Sequence, residues 1–225
     1  MHSESIRIEV PLQRPIDNAL RQSILEDLPE LAQVKDGALR ERAVEAWAIA
    51  LAGSSFSRIC AVPGAALPGL AVLKQGGQDV HLRGVAHLAL ETARHLKSID
   101  ARVDIDEDVV RVGALCHDLG KPYEFDPDNR ERWTADPSRI GLPPMRHTVF
   151  GAHIALMAGL PESIAHIALC HSSEGNNVVR SLECSLVHYA DETWWKAAAG
   201  AGLLVEESFR GVMKHFEPRR LKDSA

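Results

Sequence analysis

Six side chains carry the chemistry legible in this sequence: His81, His117, Asp118, His147, His171 and Asp191. Imidazole nitrogen and carboxylate oxygen together suit zinc, iron, manganese or cobalt. The sharpest segment is Ala114-Leu-Cys-His117-Asp118-Leu-Gly-Lys121-Pro122, an ionisable pair at the end of an apolar helix. An unpaired charge there would be very costly, so the pair needs partners. On its own it reads equally as a helix-terminal histidine beside a capping aspartate. The other helices change the balance. Nine of the 11 histidines fall between His81 and His188, and helical periodicity sorts them. His81 shares a face with Val85, Ala89 and Leu96, whereas His87 and His95 fall towards solvent. His147 lies on the stripe of Phe150, Gly151, Ile154 and Ala158, and Gly151 allows another backbone to approach. His153 falls off that stripe. Ile164, Ile167 and Ala168 lead to His171, and His166 points away. Asp191 stands deep in an apolar helix where its propensity is poor, which argues for a tertiary role, with His188 the competing candidate one turn earlier. A shared metal centre explains all six residues together, and one aspartate between two histidine sets can bridge two ions about 3.5–4 Å apart.

The elements that must position them are helical. Apolar steps of three and four mark helices at 15–28, with Pro15 at the first position, and at 36–52, opening at Asp36 and closing at Gly53. Further helices follow at about 80–97, 106–118, 146–158, 161–171, 181–197 and 203–215. Residues 62–79 and 120–145 are dense in glycine and proline and read as connectors. Gly120 reads as a helix C-cap and Pro122 as a stop. The expected architecture is all-α: residues 1–78 a helical extension and linker, 79–216 the histidine-bearing bundle, 217–225 a frayed tail. The apolar faces of 15–53 must pack on something, either over the site or against a second copy in a homodimer.

Composition narrows the partners. The 225 residues carry a net charge of −6, which argues against nucleic-acid binding resting on clustered positive charge. No apolar stretch approaches the roughly 18 uncharged residues of a membrane helix. Met1 to Val10 lack the apolar core of a secretory signal. Four widely spaced cysteines read as buried thiols in a reducing, cytoplasmic setting.

In order and spacing, these residues resemble the HD-domain superfamily of metal-dependent phosphohydrolases. The matching segments are His81-Leu-Arg-Gly-Val85-Ala-His-Leu-Ala, His117-Asp118-Leu-Gly-Lys121, His147-Thr-Val-Phe-Gly151, His171 and Ala190-Asp191, across roughly 79–200. The fold this implies is an HD-domain helical bundle with an N-terminal helical extension. By the resemblance, His81, His117, Asp118 and Asp191 would hold one metal, and Asp118 would bridge to a second held by His147 and His171. Retaining both middle histidines favours a binuclear centre of iron, manganese or zinc. His147 is followed by threonine where the family pattern has proline. Ser-Ser-Glu-Gly after His171 lacks the Gly-Tyr-Pro signature of cyclic-dinucleotide phosphodiesterases.

The implied function is hydrolysis of a small phosphorylated or other anionic metabolite by a metal-activated water, with Asp118 and Lys121 as catalytic residues. Lys121 would hold a phosphate oxygen as a point charge. Arg130, Arg132 and Arg146 would form an anion clamp and Tyr123 and Trp133 would stack on the substrate, although loop arginines balanced by acids, and lone loop aromatics, also fit a solvated loop and a core lid. The alternative within the superfamily is a diiron oxygenase cleaving a C–C or C–P bond.

Overall fold

A computed structural model describes residues 10–210 of the chain. The first helix, α1, runs over Asn18–Asp27, because the Asp17 carboxylate accepts the Leu20 N–H at 2.8 Å and starts it there. Pro15 therefore precedes the cap and is not the first helical residue. A 3-10 turn at Pro29–Gln33 leads to α2 (Gly37–Ala52), capped by Asp36 and ended at Gly53 as its sequence requires.

The glycine- and proline-rich stretch after α2 is not an unstructured connector. It folds into an antiparallel hairpin of β1 (Pro63–Leu67) and β2 (Leu70–Gly77), the one sheet among the described residues. Leu67-Pro68-Gly69-Leu70 makes the turn: proline presets its second position, and Gly69, at φ 81°, takes the left-handed third position. Everything else regular is helical, so the all-α class holds.

The bundle begins with α3 (Gln78–Ile99) and α4 (Glu107–Cys116). Three short helices then occupy what the sequence suggests is a break: α5 (Lys121–Phe125), α6 (Pro127–Ala135) and α7 (Pro137–Ile140). Pro122, Pro127 and Pro137 each lie in a first helical turn, where the missing N–H costs nothing and the fixed φ helps. Pro122 thus opens a helix and does not merely stop one. α8 (His147–Met157), α9 (Glu162–Cys170) and α10 (Leu182–Gly200) complete the bundle. The expected last helix at 203–215 does not form over its described part. Leu204 instead bridges to Leu73 of the hairpin, and Glu206–Ser208 is a 3-10 turn. Residues 211–216 and the tail at 217–225 lie outside the described residues.

One continuous apolar core joins the two halves, from Leu20, Ile24 and Trp47 to Leu115, Ile154, Ile167 and Val187. The Trp47 indole N–H donates to the Leu115 carbonyl at 2.9 Å, so α2 is fixed to α4 by a directed bond as well as by packing. Cys116, Cys170 and Cys184 are buried thiols as expected, but Cys60 is exposed, at the turn entering the hairpin. No helix among the described residues is long and apolar enough to cross a membrane.

Candidate metal centre

The inward stripe of α3 carries His81, fully buried, while His87 and His95 on the same helix are exposed. α4 ends at Cys116, so His117 and Asp118 emerge from the apolar core at its C-terminal end. Gly120 keeps an ordinary backbone angle, φ −84°, and is not a left-handed cap. Its role is close approach: a Cβ there would strike the His147 carbonyl, and Gly151 faces it from α8. That contact sets the first residue of α8 beside Asp118. His171 follows the last turn of α9, and Asp191 projects from the middle of α10.

Asp118 is the hub. Its Oδ2 lies 3.4 Å from His81 Nε2 and 3.3 Å from His117 Nε2, and its Oδ1 lies 3.3 Å from His147 Nε2 and 3.5 Å from His171 Nε2. Asp191 Oδ1 is 3.3 Å from His81 Nε2. The structure thus brings together all six residues singled out in the sequence: five of them form two groups able to hold an ion, His81, His117 and Asp191, and His117, Asp118 and His171, and His147 joins them through Asp118 Oδ1.

Proton positions make the arrangement specific. The Nδ1 atoms of His117 and His171 meet the carbonyls of Ala114 and Ala168 at 2.6 and 2.9 Å. A carbonyl only accepts, so Nδ1 carries the proton and Nε2 presents a lone pair. His147 Nδ1 likewise donates to Glu124. Three imidazole lone pairs therefore face carboxylate oxygens, and His81 and His117 meet Nε2 to Nε2 at 3.2 Å. Acceptor facing acceptor in a buried site calls for a cation, and Asp118 Oδ1 and Asp191 Oδ1 are buried without a hydrogen-bond donor. The residues present fit a metal on this ground.

Electrostatics agree. Burial raises the Asp118 carboxyl, but the Lys121 charge and the His117 and His171 imidazoles packed against its oxygens hold it well below the ordinary carboxylate value. Burial also opposes ionisation of Asp191, and the His81 imidazole beside it outweighs that, again holding the carboxyl low. For His81, burial is overcome by the Asp118 and Asp191 carboxylates beside it, so its value is raised. Burial dominates at His147 and keeps it neutral despite Glu124, whose own carboxyl, against the pull of burial, is held low by His147.

Of the residues proposed for substrate, Lys121 and Arg146 line the cavity over the centre, with Ser172, Ser173 and the hairpin residues Ala66, Leu67 and Leu70. Lys121 is 2% exposed and differs from a free point charge: its ammonium donates to the Ala65 and Ala66 carbonyls, both at 2.6 Å, and lies 3.6 Å from Asp118 Oδ2. Arg146 reaches Glu124 at 3.1 Å and Glu174 at 3.6 Å. The structure does not bring Tyr123, Arg130, Arg132 or Trp133 to this cavity. Tyr123 stacks on Phe150 and tilts against the fully buried Trp133, because α5 and α6 turn these rings into the core. Arg132 is exposed and bonds Asn129 on its own helix. The remaining histidines serve elsewhere: His188 donates to the His171 carbonyl at 2.5 Å, and His166 accepts the Ser181 N–H.

Sequence reasoning missed four contributors. Gln78, fully buried one turn before His81, donates its amide to Asp118 Oδ2. Glu124 orients His147, and its spacing of three from Lys121 on one short helix was the available signal. Trp195 stacks on His81 at 4.5 Å and Trp194 meets the same ring edge-on at 4.8 Å.

Among characterised proteins, a dihydroneopterin 2',3'-cyclic phosphate phosphodiesterase of Methanocaldococcus jannaschii is 29% identical over 119 residues, 52% of this chain and 46% of that protein. The chain thus spans about half the length of that relative. No solved structure matches the chain. Residues 79–193, just over half of the sequence and containing all six clustered residues, match the HD domain, and the chain belongs to that family.

Proposed function

We propose that the protein is a metal-dependent phosphohydrolase with a binuclear centre, acting on a phosphoester of a small molecule. The observation that carries this reading is the division of Asp118: one oxygen faces His81 and His117, the other His147 and His171, and His117, His147 and His171 turn lone pairs towards it. His81, His117, Asp118 and Asp191 would hold one ion, and Asp118, His147 and His171 the second. When bound, such ions supply Lewis acidity for a phosphoryl oxygen and for water.

The chain's own residues do the rest. Carbonyls of Ala114 and Ala168 and the Glu124 carboxylate fix three imidazoles in the tautomer that presents Nε2. Gln78 and Lys121 orient Asp118. Arg146, Ser172 and Ser173 supply donors at the mouth of a cavity of about 210 Å³, a volume that suits a small ester. In hydrolysis the water oxygen bonds to phosphorus, the ester P–O bond breaks, and the leaving oxygen takes up a proton. The relative's cyclic phosphodiester makes phosphodiesters the first class to test. Because the hairpin walls the cavity, the working unit proposed here starts at residue 63, before the bundle itself, and the N-terminal helices 18–52 act as its packing support.

The test is metal content per chain after purification, with hydrolysis of bis(p-nitrophenyl) phosphate and a 2',3'-cyclic nucleotide under manganese, iron or zinc. Two ions per chain and phosphodiester turnover are expected. Oxygen consumption restricted to the iron form, without hydrolysis, would overturn the reading in favour of the diiron oxygenase.

Two variants probe the centre. His81→Ala is expected to lose metal while His87→Ala, altered on the exposed face of the same helix, retains it; equal loss by elemental analysis would contradict the assignment. Glu124→Gln keeps the shape but weakens the bond to His147 Nδ1, and metal affinity is expected to fall by about 10-fold or more in a chelator competition.

A further inference from the structure

Beside the polar cavity lies a second one of about 160 Å³, and the two share Ala66, Leu70, Glu192 and Trp195. The second is closed by Ala71 of β2 and Phe209 beyond α10. We infer that this annex receives the non-phosphorylated end of the substrate, and that the preferred substrate class is a small phosphoester bearing one compact apolar or aromatic group. The inference rests on the phosphohydrolase reading above and deepens it.

Continuity is the first ground. A molecule with its anionic end near Arg146 has the shared wall of Ala66, Leu70, Glu192 and Trp195 to pass before reaching the annex. Size is the second, since an apolar cavity of about 150 Å³ is enough to hold a benzene ring. Chemistry is the third. The annex side of the wall belongs to a small apolar cluster of Ala71, Leu73, Trp195, Ala198, Ala199, Leu204 and Phe209, and its charged neighbours Glu192 and Lys196 satisfy each other at 2.6 Å. Among the described residues lining the annex, Lys196 is the one cation, and Glu192 already holds it.

Apart from Glu192, the annex is also built outside the part of the chain that matches the family. Its wall residues Ala66, Leu70 and Ala71 precede residue 79, and Trp195 and Phe209 follow residue 193. The segment after α10 is fastened to the hairpin by backbone bonds, Lys74 N–H to Leu203 O at 2.9 Å and Val205 N–H to Val72 O at 2.8 Å, and by the Val72 N–H to Ser208 Oγ at 2.9 Å. Specificity is thereby supplied mostly by residues outside 79–193, while residues within that range supply the centre.

Calorimetric binding of phenylphosphonate and methylphosphonate to the manganese-loaded full chain tests the annex without turnover. Phenylphosphonate is expected to bind roughly tenfold more tightly, from ring burial and aromatic contact. Leu70→Trp, which narrows the junction, is expected to abolish that preference, and Phe209→Leu, which keeps the small cluster filled, to reduce it about threefold through loss of the aromatic contact. Circular dichroism and manganese content establish that each variant is folded and loaded. Equal affinity for the two phosphonates, or binding of neither, overturns the annex and leaves the hydrolysis result standing on its own. A phenyl preference in a protein that hydrolyses no phosphoester keeps the annex and overturns the reaction.

Discussion

Asp118→Asn is expected to abolish metal binding and to lower phosphodiester hydrolysis by about 10³-fold or more, while leaving the metal-free protein folded. The rate estimate follows from losing several kcal/mol of Lewis-acid stabilisation, with about 1.4 kcal/mol for each factor of ten. The preserved fold follows from the proton positions. In the native site carboxylate oxygens confront imidazole lone pairs, a repulsion tolerable because the Lys121 ammonium, 3.6 Å from Asp118 Oδ2, compensates it. An amide in the same volume puts an NH₂ group where one oxygen stood, and that group can donate to two of the facing Nε2 atoms. Its remaining oxygen still accepts, and the negative charge that attracts a divalent ion is gone. Elemental analysis, thermal melts in chelator and hydrolysis rates together check the claim. Two retained ions, or activity within tenfold of wild type, would show that the centre is not organised around Asp118. A collapsed fold would show that its charge is structural first.

The parts of this site that could be read from sequence are those written in periodicity. His81 separates from His87 and His95 because a helix has one inward face, and Asp191 stands out because a mid-helix aspartate needs a tertiary reason. The parts that could not be read depend on which elements meet. The hairpin at 63–77 is hidden because Ala65, Ala66 and Ala71 lack strand propensity and the glycines suggest a linker; its pairing is stabilised by the segment at 203–205, more than 120 residues away. Tyr123 and Trp133 look available for substrate because their prolines suggest loop, yet the same prolines start the short helices that turn both rings inward. Glu124 and Gln78 resemble ordinary polar surface residues until α8 and the His117–Asp118 corner are packed against them. A histidine's proton is set by whichever carbonyl or carboxylate it meets, and that is a property of the assembled bundle.

Lys121 is the residue for which the two levels differ most, and Lys121→Met separates them. A buried ammonium has three donors. Here two are taken by the Ala65 and Ala66 carbonyls and the third is directed at Asp118, with the Phe125 ring 5.2 Å from Nζ. Methionine keeps the length and removes the charge, leaving two carbonyls and a carboxylate uncompensated in a site 2% exposed. Removing one partner of a buried pair costs about 3–5 kcal/mol, which for a chain of this size lowers the metal-free melting temperature by roughly 10 °C or more. Added manganese should recover part of that loss, because a divalent ion replaces the ammonium as the counter-charge of Asp118, but it cannot restore the bonds to the hairpin. Metal affinity should therefore be unchanged or higher, with KM raised more than kcat is lowered as the cavity wall loosens. Had Lys121 acted as a phosphate ligand, the loss would fall on catalysis with metal-free stability unchanged. Melts with and without metal, set beside a full kinetic comparison, distinguish a clamp that holds the hairpin to Asp118 from a charge that waits for substrate.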